Sequence, residues 1–298
     1  MHERTGSAAR LDCIRGVTCS VPDLQAVEES YGRWLDYQAL ERGTVPDAVA
    51  NSWGVPGAAG ARYLTLGPKS GESVYLRFIE DERSRGWRAL TTHGWNVAEF
   101  VVQDVDALAS SLSSSPFRII GPPASLQRFP MIRAMQVLGP SGECLYFTQV
   151  GPGSGLDLAT AESFVGRVFI VVAGGPDLGA MFDAYGRFDN DVDPPVFTRV
   201  RVISLINGLP EDTEHAHGLV KLGGGTMIEL DQYPAMTFPR VAADGALPPG
   251  MAIVSFSVSG AANDDDLAPS APALFPGIKV SATTMRGATG ELIELVGN

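Results

Sequence analysis

The chain has 298 residues, 45% of them apolar and 19% charged, and a net charge of −12. That is a globular composition, long enough for two domains with cores of their own. The acidic balance excludes nucleic acid and anionic membrane surfaces as partners, and no run approaches the roughly 20 apolar residues of a membrane span.

The first predicted strand runs from Ile14 to Val21, alternating as a half-buried strand does. Asp23 then caps a helix whose buried stripe is Leu24, Val27, Tyr31 and Leu35. A Gly/Pro-rich stretch around Trp53 follows, then the strand Ala61 to Leu66, a turn ending at Gly71, and the strand Val74 to Ile79. The second stretch repeats this plan. Trp95 to Val102 is a strand, a helix starts at Asp104 with Val105, Leu108 and Leu112 inward, and Pro116 to Pro130 is a proline-rich connection. Arg133 to Leu138 then leads through Gly139 to Gly142 into another strand, and Gly151 to Gly155 is the clearest linker. A third stretch opens with the strand Arg167 to Ala173 and a helix from Asp177. The fourth opens with Met251 to Val258, and Asp264 to Pro272 leaves room for only a short turn or two.

Each stretch closes on the same phrase: GESVYL from Gly71, GECLYF from Gly142, GTMIEL from Gly225 and GELIEL from Gly290. A repeat at this spacing means one supersecondary unit used four times. The glycine supplies the positive-φ turn of a hairpin. Side chains alternate along the strand that follows, so Tyr75, Tyr146, Glu229 and Glu294 share one face and Val74, Leu145, Ile228 and Ile293 the other.

Four units that open "strand, Asp, amphipathic helix" and close on this phrase resemble the vicinal oxygen chelate superfamily of glyoxalases, bleomycin-resistance proteins and extradiol dioxygenases. The resemblance covers Leu11 to Val296 and implies an α+β fold of four βαβββ units paired into two domains, the fourth unit with a reduced helix. The expected division is residues 1–155 for units one and two and 156–298 for units three and four. Each pair of units then forms a cup that holds the ligand.

Metal-dependent members draw a histidine from a unit's first strand, seven residues before the helix cap, and a glutamate from its last. Here those first-strand positions fall on Gly16, Val97, Phe169 or Ile170, and Ile253. The last strands carry Tyr75, Tyr146, Glu229 and Glu294. The resemblance therefore implies no metal and no other cofactor, with Glu229 and Glu294 as ligands only in the alternative of a divalent cation.

Parity places Glu99 on the cavity face of its strand, where a carboxylate is costly unless paired. Arg77 shares Tyr75's face, and Arg133 lies on the hairpin strand beside Tyr146. Glu99, Tyr146 and Tyr75 are the candidate catalytic residues, a base with two proton donors, and Arg77, Arg133 and Trp53 the candidate substrate contacts. The competing reading makes Glu99 half of a structural ion pair and the tyrosines cup filling. Aromatic lining from Trp53, Tyr75, Tyr146 and Trp95 points to a planar substrate, and the arginines to an anionic one. The second cup is expected to gather Glu229, Asp231 and Glu294 without a basic partner, which favours the N-terminal cup. His215 and His217, next to the acidic run Glu211 to Glu214, read as surface residues, and His93 as loop. Cys144 shares Tyr146's face but lacks a histidine partner. Gly223 to Gly225 is a turn, with no Lys-Ser/Thr after it to make a phosphate loop.

The leading expectation is a metal-independent lyase or isomerase acting by acid–base chemistry on a small aromatic or carbonyl catabolite. An extradiol ring-cleaving dioxygenase and a non-catalytic sequestering protein are the alternatives. The partner is a small molecule, with a homodimer left open. Met1 to Thr5 lacks the apolar stretch of a signal peptide, and the three cysteines have no paired spacing, so the expected location is cytoplasmic.

Overall fold

The computed structural model describes residues 9–260 and 270–297. Unit one comprises β1 (Arg10–Val21), α1 (Leu24–Leu35), β2 (Tyr37–Thr44), α2 (Asp47–Ser52), β3 (Arg62–Pro68) and β4 (Tyr75–Glu80). Unit two is β5 (Gly94–Val102), α3 (Val105–Leu112), β6 (Arg118–Ser125), β7 (Ile132–Leu138) and β8 (Cys144–Val150). Unit three has β9 (Val165–Gly175), α4 (Leu178–Tyr185), β10 (Val196–Thr198), α5 (Arg201–Ile206), β11 (His215–Lys221) and β12 (Met227–Gln232). Unit four contributes β13 (Gly250–Ser259), β14 (Ala271–Pro272), β15 (Ser281–Arg286) and β16 (Leu292–Val296). Most of the turn expected after Asp264 lies outside the described residues, as do Met1 to Thr5.

Local chemistry explains the repeat. Asp23, Asp104 and Asp177 each accept a hydrogen bond from the backbone N–H three residues on, at 3.0, 2.9 and 3.0 Å, which satisfies a helix-end donor that would otherwise be orphaned. Gly71, Gly142, Gly225 and Gly290 sit at φ between 68° and 86°, the left-handed turn that releases the chain into each closing strand. Val74, Leu145, Ile228 and Ile293 all enter the main apolar core.

That core lies between two eight-stranded sheets and includes the buried stripes of α1, α3 and α4. The sheets meet through edge-on rings such as Tyr37 on Phe100 at 5.8 Å, and through Trp95 against Phe256 at 6.2 Å. Two buried carboxylates span the same region. The Tyr31 hydroxyl of α1 donates to Glu143 at 2.8 Å, and the Tyr185 hydroxyl of α4 donates to Glu291 at 3.3 Å.

The pairing of units departs from the expected halves. One sheet runs β14-β15-β16-β13-β1-β4-β3-β2 and the other β10-β11-β12-β9-β5-β8-β7-β6. Unit one thus joins unit four through β1 and β13, and unit two joins unit three through β5 and β9, both antiparallel. The linker at residues 151–164 connects neighbouring units of one sheet rather than separating two. Each first strand offers one open edge, and alternation along a strand carries no information about which other edge will take it.

Candidate active site

Each cup therefore mixes a tyrosine with a glutamate. Tyr75 faces the same side as Glu294 in the first sheet, and Tyr146 the same side as Glu229 in the second.

The first cup is filled by the chain itself. The Arg77 guanidinium lies 4.6 Å from the ring centres of both Trp53 and Phe275, and Phe275 stacks on Tyr75 at 5.7 Å. Gly16 makes the space, since a Cβ there would come within 2.6 Å of Phe275. Arg77 pairs with Glu294 at 3.1 Å and donates to Thr18 Oγ1 and the Leu274 carbonyl at 2.9 and 3.0 Å. The Trp53 indole N–H donates to the other Glu294 oxygen at 2.7 Å, and Ser255 donates to the first. Arg77 and Glu294 are at most 1% exposed. Four sequence expectations are corrected here: Trp53 and Arg77 are spent inside a sealed network, Tyr75 is packed under Phe275, and both Glu294 oxygens already accept hydrogen bonds.

Arg133 is corrected too. On β7 it pairs with Gln149 of β8, whereas Tyr146 pairs with Gln136, so Arg133 points to the helix face. There it forms a partly exposed ion pair with Asp106 of α3 at 2.8 Å. Trp95 likewise leaves the cup, because a bulge between Trp95 and Val97 reverses its parity. It is fully buried between the sheets and donates to the Leu292 carbonyl at 2.8 Å.

The second cup keeps its chemistry. Glu99 stands beside Tyr146 in the parallel β5–β8 pair, and Val172 stands beside Glu229 in the β9–β12 pair. The equivalent neighbours in the first sheet are Gly16 beside Tyr75 and Ser255 beside Glu294. The first-strand positions of the repeat are thus Gly16, Glu99, Val172 and Ser255. Val97, Ile170 and Ile253 fall two residues short and Phe169 three; in units two and three the reason is a helix cap that follows two residues sooner than in unit one.

Glu99 is 8% exposed and accepts a hydrogen bond from the Thr148 hydroxyl. Burial pushes its pKa up to about 8, opposed by that hydrogen bond and reinforced by the charge of Glu229. No lysine or arginine pairs with it among the described residues. Burial also pushes the Tyr146 phenol well above its usual range, with Cys144 and Asp231 adding to the effect. The Cys144 thiol is pushed up by burial as well, which disfavours the thiolate that a nucleophile needs.

Beside these lies a cluster whose carboxylates were expected in a cup but whose histidine the sequence reading assigned to the surface. His217 on β11 is paired directly with Asp231 on β12, and Glu229 is two residues away on the same face. The ligand atoms of all three lie within 4.8 Å of one another, with His217 Nδ1 4.0 Å from Glu229 Oε1. Both His217 ring nitrogens, Asp231 Oδ1 and the nearby Tyr233 hydroxyl are buried without a hydrogen-bond partner. Burial and the charge of Glu229 push the Asp231 carboxyl well above the usual range. His215 is buried too, bonded through Nε2 to Ser204 of α5 at 2.9 Å. The signal was legible: His-x-His on one strand faces Glu-x-Asp on the next across a glycine turn. The acidic run upstream hid it.

Two curled eight-stranded sheets, each built from two units that close on the same strand phrase, define a vicinal oxygen chelate fold. Among solved structures the chain is similar to glyoxalase I from Zea mays, at 14% identity and a TM-score of 0.61 over 97% of this chain and 92% of that one. It is also similar to a Bacillus subtilis protein provisionally named a dioxygenase, at 13% identity and a TM-score of 0.63 over 97% and 86% of the two chains. At these identities the likeness is one of fold. No protein-family model matches the sequence, and no curated protein does. Among the described residues, no helix is long and apolar enough to cross a membrane.

Proposed function

We propose that this protein is a lyase or isomerase that moves a proton on a small carbonyl compound in the cup of units two and three. The observation that carries this reading is Glu99, a carboxyl buried in mid-strand with a hydroxyl for a partner and no basic group. A structural ion pair, the competing account of that residue, lacks its cation. In the proposed reaction the ionised Glu99 takes a proton from the carbon next to the carbonyl. Tyr146, alongside it, donates to the oxygen on which charge develops.

The substrate reading narrows. The anionic character expected from Arg77 and Arg133 loses its support, since both are committed to carboxylates elsewhere. Of the expected aromatic lining only Tyr146 remains, joined by Tyr233. Small carbonyl compounds are therefore the substrate class. A cytoplasmic setting goes with this reading, supported by three free thiols.

The test is hydrogen exchange in D2O, followed by NMR on a panel of small carbonyl compounds. Wild-type protein is expected to exchange the proton next to the carbonyl of at least one compound, with a rate that rises as pH climbs through about 8. Glu99→Gln is expected to slow it about 10²–10⁴-fold. Exchange that survives in Glu99→Gln, or tight binding with no exchange of any compound, would overturn the assignment.

A further inference from the structure

We propose that His217, Glu229 and Asp231 hold one divalent first-row transition ion on the flank of the second cup. The site lies on the β11–β12 hairpin, off the first-strand positions from which metal-dependent relatives take their imidazoles. The inference deepens the reading of that cup, but the binding stands without it.

The donor set fits. One imidazole and two carboxylates suit Mn²⁺, Fe²⁺, Co²⁺ or Zn²⁺. Ligands about 2.0–2.2 Å from a shared ion stand roughly 3–4 Å apart, and His217 Nδ1 and Glu229 Oε1 are 4.0 Å apart. The strands fix this spacing, because His217 and Asp231 are direct cross-strand neighbours and Glu229 follows at the next position of the same face.

The cluster is also incomplete as it stands. Buried polar atoms are almost always hydrogen-bonded, yet both His217 nitrogens and Asp231 Oδ1 have no partner. Asp231 is 1% exposed, so bulk water does not serve it. Three other buried carboxylates each have two or more hydrogen-bond donors. Glu143 accepts from Tyr31 and the Ser141 N–H, Glu291 from Tyr185 and the Thr289 N–H, and Glu294 from Trp53, Arg77 and Ser255. Among the described residues, His217, Glu229 and Asp231 are the one group in which two neighbouring carboxylates and an imidazole converge, with both ring nitrogens and Asp231 Oδ1 unspent. This ligand set replaces the expectation of a metal-free protein, and it drops Glu294 from the alternative. Three protein ligands leave positions for water or a substrate oxygen, and an ion there would polarise a carbonyl.

The experiment is calorimetric titration of the chelator-treated full chain with Mn²⁺ and Co²⁺, with the visible absorption of bound Co²⁺ as a second readout. One equivalent is expected to bind. His217→Gln and the near-isosteric Asp231→Asn, each checked for folding by circular dichroism, are expected to weaken it by more than the roughly 10–100-fold that loss of an outer partner costs. Arg133→Ala is expected to bind as wild type does. Glu99→Gln is expected to keep the ion while losing exchange, so the two proposals can fail separately. No stoichiometric binding, binding that both hairpin variants leave intact, or binding abolished by Glu99→Gln alone would each overturn this ligand set.

Discussion

Replacing Arg77 with methionine separates a filled structural cup from a catalytic one. The side chain is fully buried, pairs with Glu294 at 3.1 Å, and lies between two aromatic rings at 4.6 Å. Methionine retains much of the packing between Trp53 and Phe275 but strands Glu294 as a buried carboxylate. Breaking one partner of such a pair costs roughly 3–5 kcal/mol. Trp53 and Ser255 still donate to Glu294, which places the expected loss near the lower end, about 3 kcal/mol. Because the penalty belongs to the stranded charge, the double variant Arg77→Met with Glu294→Leu should recover a large part of it, with a coupling of about 1–3 kcal/mol. Urea denaturation reads this as a midpoint that falls in the single variant and partly returns in the double, at constant slope. Proton exchange per folded molecule should match wild type in both. A single variant that keeps its midpoint, or keeps its stability but loses exchange, would refute the account of the first cup as structural.

Three further outcomes follow from the geometry. Gly16→Ala drives a methyl against Phe275, so urea titration should show a loss of about 1–3 kcal/mol from overpacking, without loss of metal binding. Arg133→Ala should change stability by less than about 1 kcal/mol, because its partner Asp106 is largely exposed; a larger loss in the same assay would mean that Arg133 does more than pair with α3. Burial raises the Glu143 carboxyl to about 7, with its hydrogen bonds opposing. A raised acid contributes stability that is fully present below its ordinary value near 4.5 and is lost as pH rises through about 7. Across that window the contribution is on the order of 3 kcal/mol, so denaturation midpoints of Glu143→Gln should fall less steeply with pH than those of wild type, and parallel slopes would refute it.

What could be read from the sequence was whatever repeats within a few residues. The aspartate caps, the glycine turns and the alternation after them are local rules, and they led to four βαβββ units and to the face on which Tyr75, Tyr146, Glu229 and Glu294 lie. Glu99 was also legible, because a carboxylate at a cup-facing position of an apolar strand breaks the pattern of its neighbours. The pairing of unit one with unit four was not. It depends on which open edge of one first strand meets which edge of another, and every such edge offers the same row of N–H and C=O groups. That choice brought Arg77 and Glu294 together in a sealed cup, and left Tyr146 and Glu99 facing Glu229. Bulges decided the rest, turning Trp95 out of the cup with a shift invisible to strict alternation. His217 was hidden for a related reason. A histidine after an acidic loop looks solvated until the hairpin register sets it across from Asp231, and only tertiary burial then withholds the water that would have satisfied both.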